Sequence, residues 1–232
     1  MKKREHENVI EISGLFKDYL SGGITVHALN GIDLQVKKGE FTAIAGPSGS
    51  GKTTLLNIIG GIDRPGSGEV RVTGVNLNMM KERELSDLRL NRIGFIFQAY
   101  NLIPVLTAIE NVEYILLLQG VDKEERRVRS ESILRAVGLE KEMNRRPAEI
   151  SGGQQQRVAV ARAIVSKPEI ILADEPTANL DQKTGASLLD LMKKLNEEIG
   201  TTFIFSTHDR MVMKSARRLI NLCDGTIVSR VK

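Results

Sequence analysis

Residues 41–59 leave this chain few folds to choose from. Phe41-Thr-Ala-Ile-Ala45 is short, apolar and followed by glycine, which reads as a buried strand. Gly46-Pro47-Ser48-Gly49-Ser50-Gly51-Lys52-Thr53 comes next, and residues 53–59 read as a helix. Strand, glycine-rich loop and helix in that order form a phosphate-gripping unit, and such units belong to α/β folds with a largely parallel sheet. Glycine lets the backbone wrap a β-phosphate closely, and successive N–H groups, running on to Thr54 at the start of the helix, form an anion nest. Lys52 adds a point charge near the β- and γ-phosphates, and the Thr53 hydroxyl suits Mg²⁺.

A second segment has the same logic. Ser151 in Ile150-Ser151-Gly152-Gly153-Gln154 is a natural helix N-cap, and the two glycines leave amides open to close approach. One nucleotide needs only one cradle. Two cradles about 100 residues apart point to a phosphate chain held at its two ends by different segments, drawn from one copy or from two. Asp174 and Glu175 end the apolar run 170–173. At a strand tip, Asp174 can hold Mg²⁺ and Glu175 can polarise an attacking water, which is what phosphoryl transfer requires.

The remaining pattern fits one compact α/β unit. Residues 9–12, 32–36, 70–72, 93–97, 170–173, 202–206, 219–222 and 226–228 read as strands, with Cys223-Asp224-Gly225 turning the last pair. Residues 108–119, 123–137, 154–166 and 181–199 read as helices, with Gly120, Gly138 and Gly200 as stops. The expected fold is a mostly parallel sheet, an antiparallel β-layer near the N-terminus and an inserted helical lobe. The core is expected over residues 1–98 and 161–232, the lobe over about 99–160.

Composition narrows the function. Aromatic residues make up 4% of the chain and tryptophan is absent, which argues against a stacking platform for single-stranded nucleic acid. Net charge is only +4, so Arg126-Arg127, Arg145-Arg146 and Arg217-Arg218 read as solvated faces, with no nucleic-acid partner expected. Cys223 is the only cysteine, which fits a reducing compartment. The charged start shows no signal peptide, and no stretch is long and apolar enough to span a bilayer.

With Gln154-Gln155-Gln156-Arg157 following the two glycines, the chain strongly resembles the ATP-binding cassette family, whose signature has leucine where Ile150 stands. The resemblance runs over nearly the whole length. It implies that Gln98 contacts Mg²⁺ or the lytic water, that His208 reads the γ-phosphate and that Asp181 crosses a dimer interface. It also implies that Tyr19 stacks on adenine, with Phe16 as a neighbouring competitor. Read without the family, Gln98 is a strand-end polar residue, His208 a structural histidine and Asp181 an N-cap. The implied machinery is catalytic Glu175, His208, Gln98 and Lys52, with Thr53, Gln98 and Asp174 on the metal, and Ser151 to Gln154 acting across an ATP-bound homodimer. The implied partner is an integral-membrane permease, with the chain peripheral on the cytoplasmic face of the cell membrane.

Within the family, Gly94-Phe-Ile-Phe-Gln98, Glu110-Asn111-Val112 and Leu172-Ala-Asp-Glu-Pro-Thr177 are similar to the lipoprotein-releasing and macrolide-efflux ATPases. That subgroup often has glycine at the place of Ala178 and threonine at that of Gly66. A cell-division ATPase that signals across the membrane without moving cargo is the alternative the sequence leaves open.

Overall fold

The computed structural model describes residues 8–231; the charged start, residues 1–7, lies outside them. Two long strands, β1 (Asn8–Ser21) and β2 (Ile24–Lys37), pair antiparallel, and β4 (Ser67–Val72) and β5 (Val75–Asn76) complete a four-stranded sheet in the order β2-β1-β4-β5. The central sheet has six strands, in the order β10-β9-β3-β8-β7-β6. Five of them, β3 (Phe41–Ala45), β6 (Ile93–Ile96), β7 (Ile170–Asp174), β8 (Thr202–Thr207) and β9 (Arg218–Cys223), run parallel. Only β10 (Thr226–Val231), joined to β9 by a hairpin, is antiparallel. The expected α/β class, mostly parallel sheet and antiparallel layer are all present.

Residues of the central strands alternate between two cores, as side chains one apart on a strand must. Phe41, Ala43, Ile171, Ala173, Phe203 and Phe205 face the helices α3 (Ala108–Leu118), α5 (Gly152–Ile164) and α6 (Gln182–Ile199). Ile44, Ile170, Leu172 and Ile204 face α1 (Lys52–Ile59) and the antiparallel layer. The strands are therefore buried on both sides, which is why they read as unbroken apolar runs. Phe41 and Phe205 meet at a ring-centroid distance of 4.6 Å in the middle of the helix-side core.

Between β6 and β7 the chain is helical: α3, α4 (Lys123–Ala136) and the start of α5 pack on one another. Gly120, Gly138 and Gly200 all have φ near +75°, as left-handed helix ends require. The short helices α2 (Glu82–Arg92), between β5 and β6, and α7 (Arg210–Ser215), between β8 and β9, have no counterpart in the sequence reading. In α2 only Leu85 and Leu88 are buried, too few to leave a helical period. The first hairpin is also longer than the expected 9–12 and 32–36. Its outer part is exposed on both faces and broken by register shifts between Ile12, Leu15 and Lys17, so no alternation marks it.

Candidate nucleotide site

The loop from Gly46 to Gly51 joins β3 to α1 at the C-terminal end of the parallel strands, where such sheets place their ligands. The packing dictates its glycines. A Cβ on Gly46 would lie 2.1 Å from the Leu222 carbonyl oxygen, and one on Gly51, at φ 99°, 2.4 Å from that of Ala28. Side chains cannot occupy either place, so β2 and the end of β9 press directly on the loop. The first helical bond of α1 runs from Leu55 N–H to the Gly51 carbonyl at 2.9 Å. The amides of Lys52, Thr53 and Thr54 therefore point out of the helix end without helical acceptors. Lys52 is nearly buried and donates from Nζ to the carbonyls of Gly46 and Pro47, both at 2.8 Å.

A groove of about 640 Å³ opens over this loop. Tyr19, Pro47, Ser48, Gly49, Lys52, Thr53, Thr54, Gln98, Glu175 and His208 line it. Asp174 stands beside it at the tip of β7, where Thr53 Oγ1 donates to the carboxylate at 3.1 Å (Oδ2). Thr53 and Asp174, far apart in sequence, thus offer a paired hydroxyl and carboxylate. These are hard oxygen donors of the kind Mg²⁺ takes, and that ion completes its shell with phosphate oxygens and water. Among the described residues no group of three or more His, Cys, Asp or Glu is placed to hold a metal ion.

Glu175 follows the tip of β7 in the left-handed region, φ 46°, a conformation costly for a residue with a side chain. Its N–H donates to the Ser206 carbonyl at 2.9 Å, which fixes the turn. Its carboxylate receives the Thr207 hydroxyl at 3.2 Å and lies 2.6 Å from His208 Nδ1. Glu175 is largely buried while the His208 ring is mostly exposed, so the histidine screens the carboxylate from the open side. Gln98 follows β6; its backbone carbonyl is held by Asn179 Nδ2 at 2.9 Å, leaving its side chain in the groove.

Tyr19, rather than Phe16, lines the groove; the Phe16 ring packs over Gly31 instead. Ser151, Gly152, Gly153, Gln154 and Asp181 are not among the lining residues. Ser151 caps α5 in a reciprocal box, its Oγ accepting from Gln154 N–H at 3.3 Å and its own N–H donating to Gln154 Oε1 at 2.9 Å. A Cβ on Gly152 would meet the Tyr100 hydroxyl at 2.9 Å, and one on Gly153 the Thr184 methyl at 2.6 Å. Asp181 caps α6 by accepting from the amides of Lys183 and Thr184, and these bonds with the Thr184 hydroxyl hold its carboxyl below the ordinary range. Sequence reasoning missed Tyr100 and Asp63, which touch these segments; neither stands in a phosphate motif.

The ABC transporter family matches residues 29–178. An uncharacterised ABC transporter ATP-binding protein of Methanocaldococcus jannaschii is 47% identical, over 94% of this chain and 95% of that one. The same protein solved as a dimer, in a post-hydrolysis state with ADP and Pi, superposes with a TM-score of 0.89 at 46% identity, covering 96% of this chain and 98% of that one. The macrolide export ATP-binding/permease protein MacB of Mannheimia succiniciproducens is 46% identical over 95% of this chain but 34% of its own length. The lipoprotein-releasing system ATP-binding protein LolD of Legionella pneumophila is 42% identical, over 93% of this chain and 95% of that one. The chain belongs to the ABC transporter family, as one of its ATP-binding ATPase cassettes.

Proposed function

We propose that this chain is the ATP-hydrolysing subunit of a transport complex of the macrolide-export or lipoprotein-release kind, and that two copies close head to tail over two ATP molecules. One observation carries the reading. The groove holds the P-loop, the acid and the histidine, yet the Ser151 segment, a second glycine-rich helix start, lies outside it. A γ-phosphate in the groove is then left for the Ser151 segment of a second copy to cap. The solved dimer of the similar archaeal cassette supports this arrangement.

In this reading the chain has a core of residues 1–98 and 161–232 and a helical lobe of about 99–160. Tyr19 takes the adenine, while Lys52 leaves the Gly46 and Pro47 carbonyls for the β- and γ-phosphates. Thr53, Asp174 and Gln98 hold Mg²⁺, which when bound neutralises charge developing on the transferred phosphoryl group. Glu175 accepts a hydrogen bond from the attacking water, and His208 keeps that carboxylate oriented and contacts the γ-phosphate. Closure follows because the phosphate bridges two surfaces; hydrolysis cuts the bridge.

No helix among the described residues is long and apolar enough to cross a membrane; in this reading an integral-membrane permease moves the cargo and the chain sits on the cytoplasmic face of that membrane. A mostly apolar groove of about 570 Å³ between β6 and α3, lined by Phe97, Ile103, Tyr114 and Ile115 beside Gln98, is the surface that suits it. The macrolide-export and lipoprotein-release names of the relatives favour transport over division-type signalling. Glu175→Gln tests the reading: it should bind ATP, hydrolyse it roughly a hundredfold more slowly or worse, and run as a dimer by light scattering with ATP and Mg²⁺. A monomer under those conditions contradicts it.

A further inference from the structure

Tyr19 lies on an exposed stretch of hairpin, 38% exposed, where an unanchored ring would turn freely. It is anchored. The Tyr19 hydroxyl donates to Asp63 Oδ2 at 2.5 Å. Asp63 is itself fixed through its other oxygen, which receives Lys17 Nζ at 2.8 Å and the Arg64 N–H at 2.7 Å. Burial alone would raise the Asp63 carboxyl, but the bonds from Lys17, Tyr19 and Arg64 outweigh it and hold it below the ordinary range, so it stays ionised as the acceptor. Lys17 Nζ also sits 4.9 Å from the Tyr19 ring centroid, over one face of a ring that lines the groove.

The anchor leads back to the phosphate end. Ile62 and Asp63 both donate their N–H to the Asn57 carbonyl, at 2.8 and 3.2 Å, which ties Asp63 to the last turn of α1. The first turn of α1 carries Lys52 and Thr53. An eight-residue helix is about 12 Å long, so one rigid element separates the phosphate cradle from the post that holds the ring.

We propose that Asp63, acting through the Tyr19 hydroxyl, is a positioning residue that sets the plane on which the nucleotide base stacks, at a distance from the phosphates fixed by α1. Asp63 itself does not line the groove. The proposal rests on the reading that Tyr19 stacks on the base, and the variants are chosen to separate the two.

Calorimetric titration of the full chain with ATP, and with tripolyphosphate as a probe that lacks a base, tests it. Tyr19→Phe keeps the ring and loses only the hydroxyl; Asp63→Asn loses the charged acceptor. Each should weaken ATP binding about three- to tenfold and leave tripolyphosphate binding as in the parent; since the Tyr19 hydroxyl also bonds the Thr54 side chain, the two together should cost no more than Tyr19→Phe alone. Tyr19→Ala should weaken ATP further and still spare tripolyphosphate. If Tyr19→Ala weakens ATP but Tyr19→Phe and Asp63→Asn do not, stacking stands and the anchor falls. If all three bind ATP as the parent does, stacking itself falls and the anchor with it. If Asp63→Asn weakens tripolyphosphate as much as ATP, Asp63 props the loop instead, and the proposal is overturned.

Discussion

Lys52 shows what a single side chain must give up. Its ammonium has exchanged water for two backbone carbonyls at the mouth of the loop. Those bonds keep an almost buried charge satisfied, and in the proposed reading phosphate oxygens replace them when ATP binds. Lys52→Ala should therefore leave the fold intact and weaken ATP by roughly tenfold or more, read by calorimetry; unchanged affinity would contradict the phosphate role. Glu175 is the counterpart on the acid side, held at positive φ by the Ser206 carbonyl and aimed by Thr207 and His208. Such residues were legible only as motif positions. Gly46 to Thr54 stood out because glycine spacing and flanking elements occur together for one reason. The grip of Asp63 on Tyr19 was not legible, since a carboxylate in an ordinary turn carries no local signature.

At the level of elements, the two glycine-rich helix starts differ in how they are finished. The α1 start is bare, while α5 is capped by Ser151 and Gln154, with Gly152 and Gly153 pressed against Tyr100 and Thr184. Both glycines thus have a packing role inside one chain in addition to leaving amides open. Ser151→Arg should keep ATP binding by the monomer yet stop ATP-dependent dimerisation, because the added side chain stands at the face offered to the other copy. Mixed with Lys52→Ala, it should regain ATP hydrolysis, since one site of each mixed dimer has an intact loop and an intact cap. Loss of ATP binding by the isolated Ser151→Arg monomer would contradict the shared geometry. The strands were easier to read than the helices around them. β3, β7 and β8 are buried on both faces and declare themselves as apolar runs, whereas α2 buries two leucines and the tip of the first hairpin buries almost nothing. Phe205, stacked near Phe41 and Phe203, measures the strength of that core: Phe205→Ala should destabilise the chain by about 3–5 kcal/mol in urea unfolding.

Taken whole, the molecule is two hydrophobic cores on either side of one sheet, with the nucleotide groove at the sheet's C-terminal edge. The antiparallel layer and α1 share one core, beneath Tyr19 and the P-loop. The helices α3, α4 and α5, with Ser151 at the start of α5, share the other. In the proposed reading one chain has both halves of a phosphate clamp, only one of them in its own groove, and a second copy supplies the other. The sequence carried the α/β class, the mostly parallel sheet and the antiparallel β-layer, because each rests on local pattern; how the P-loop and the proposed Ser151 cap meet is a matter between copies, outside any local pattern. The structure of Glu175→Gln crystallised with ATP and Mg²⁺ tests this most directly. The account predicts a γ-phosphate held by Lys52 of one copy and covered by Ser151 of the other. A γ-phosphate open to solvent, or covered by Ser151 of its own chain, would contradict it.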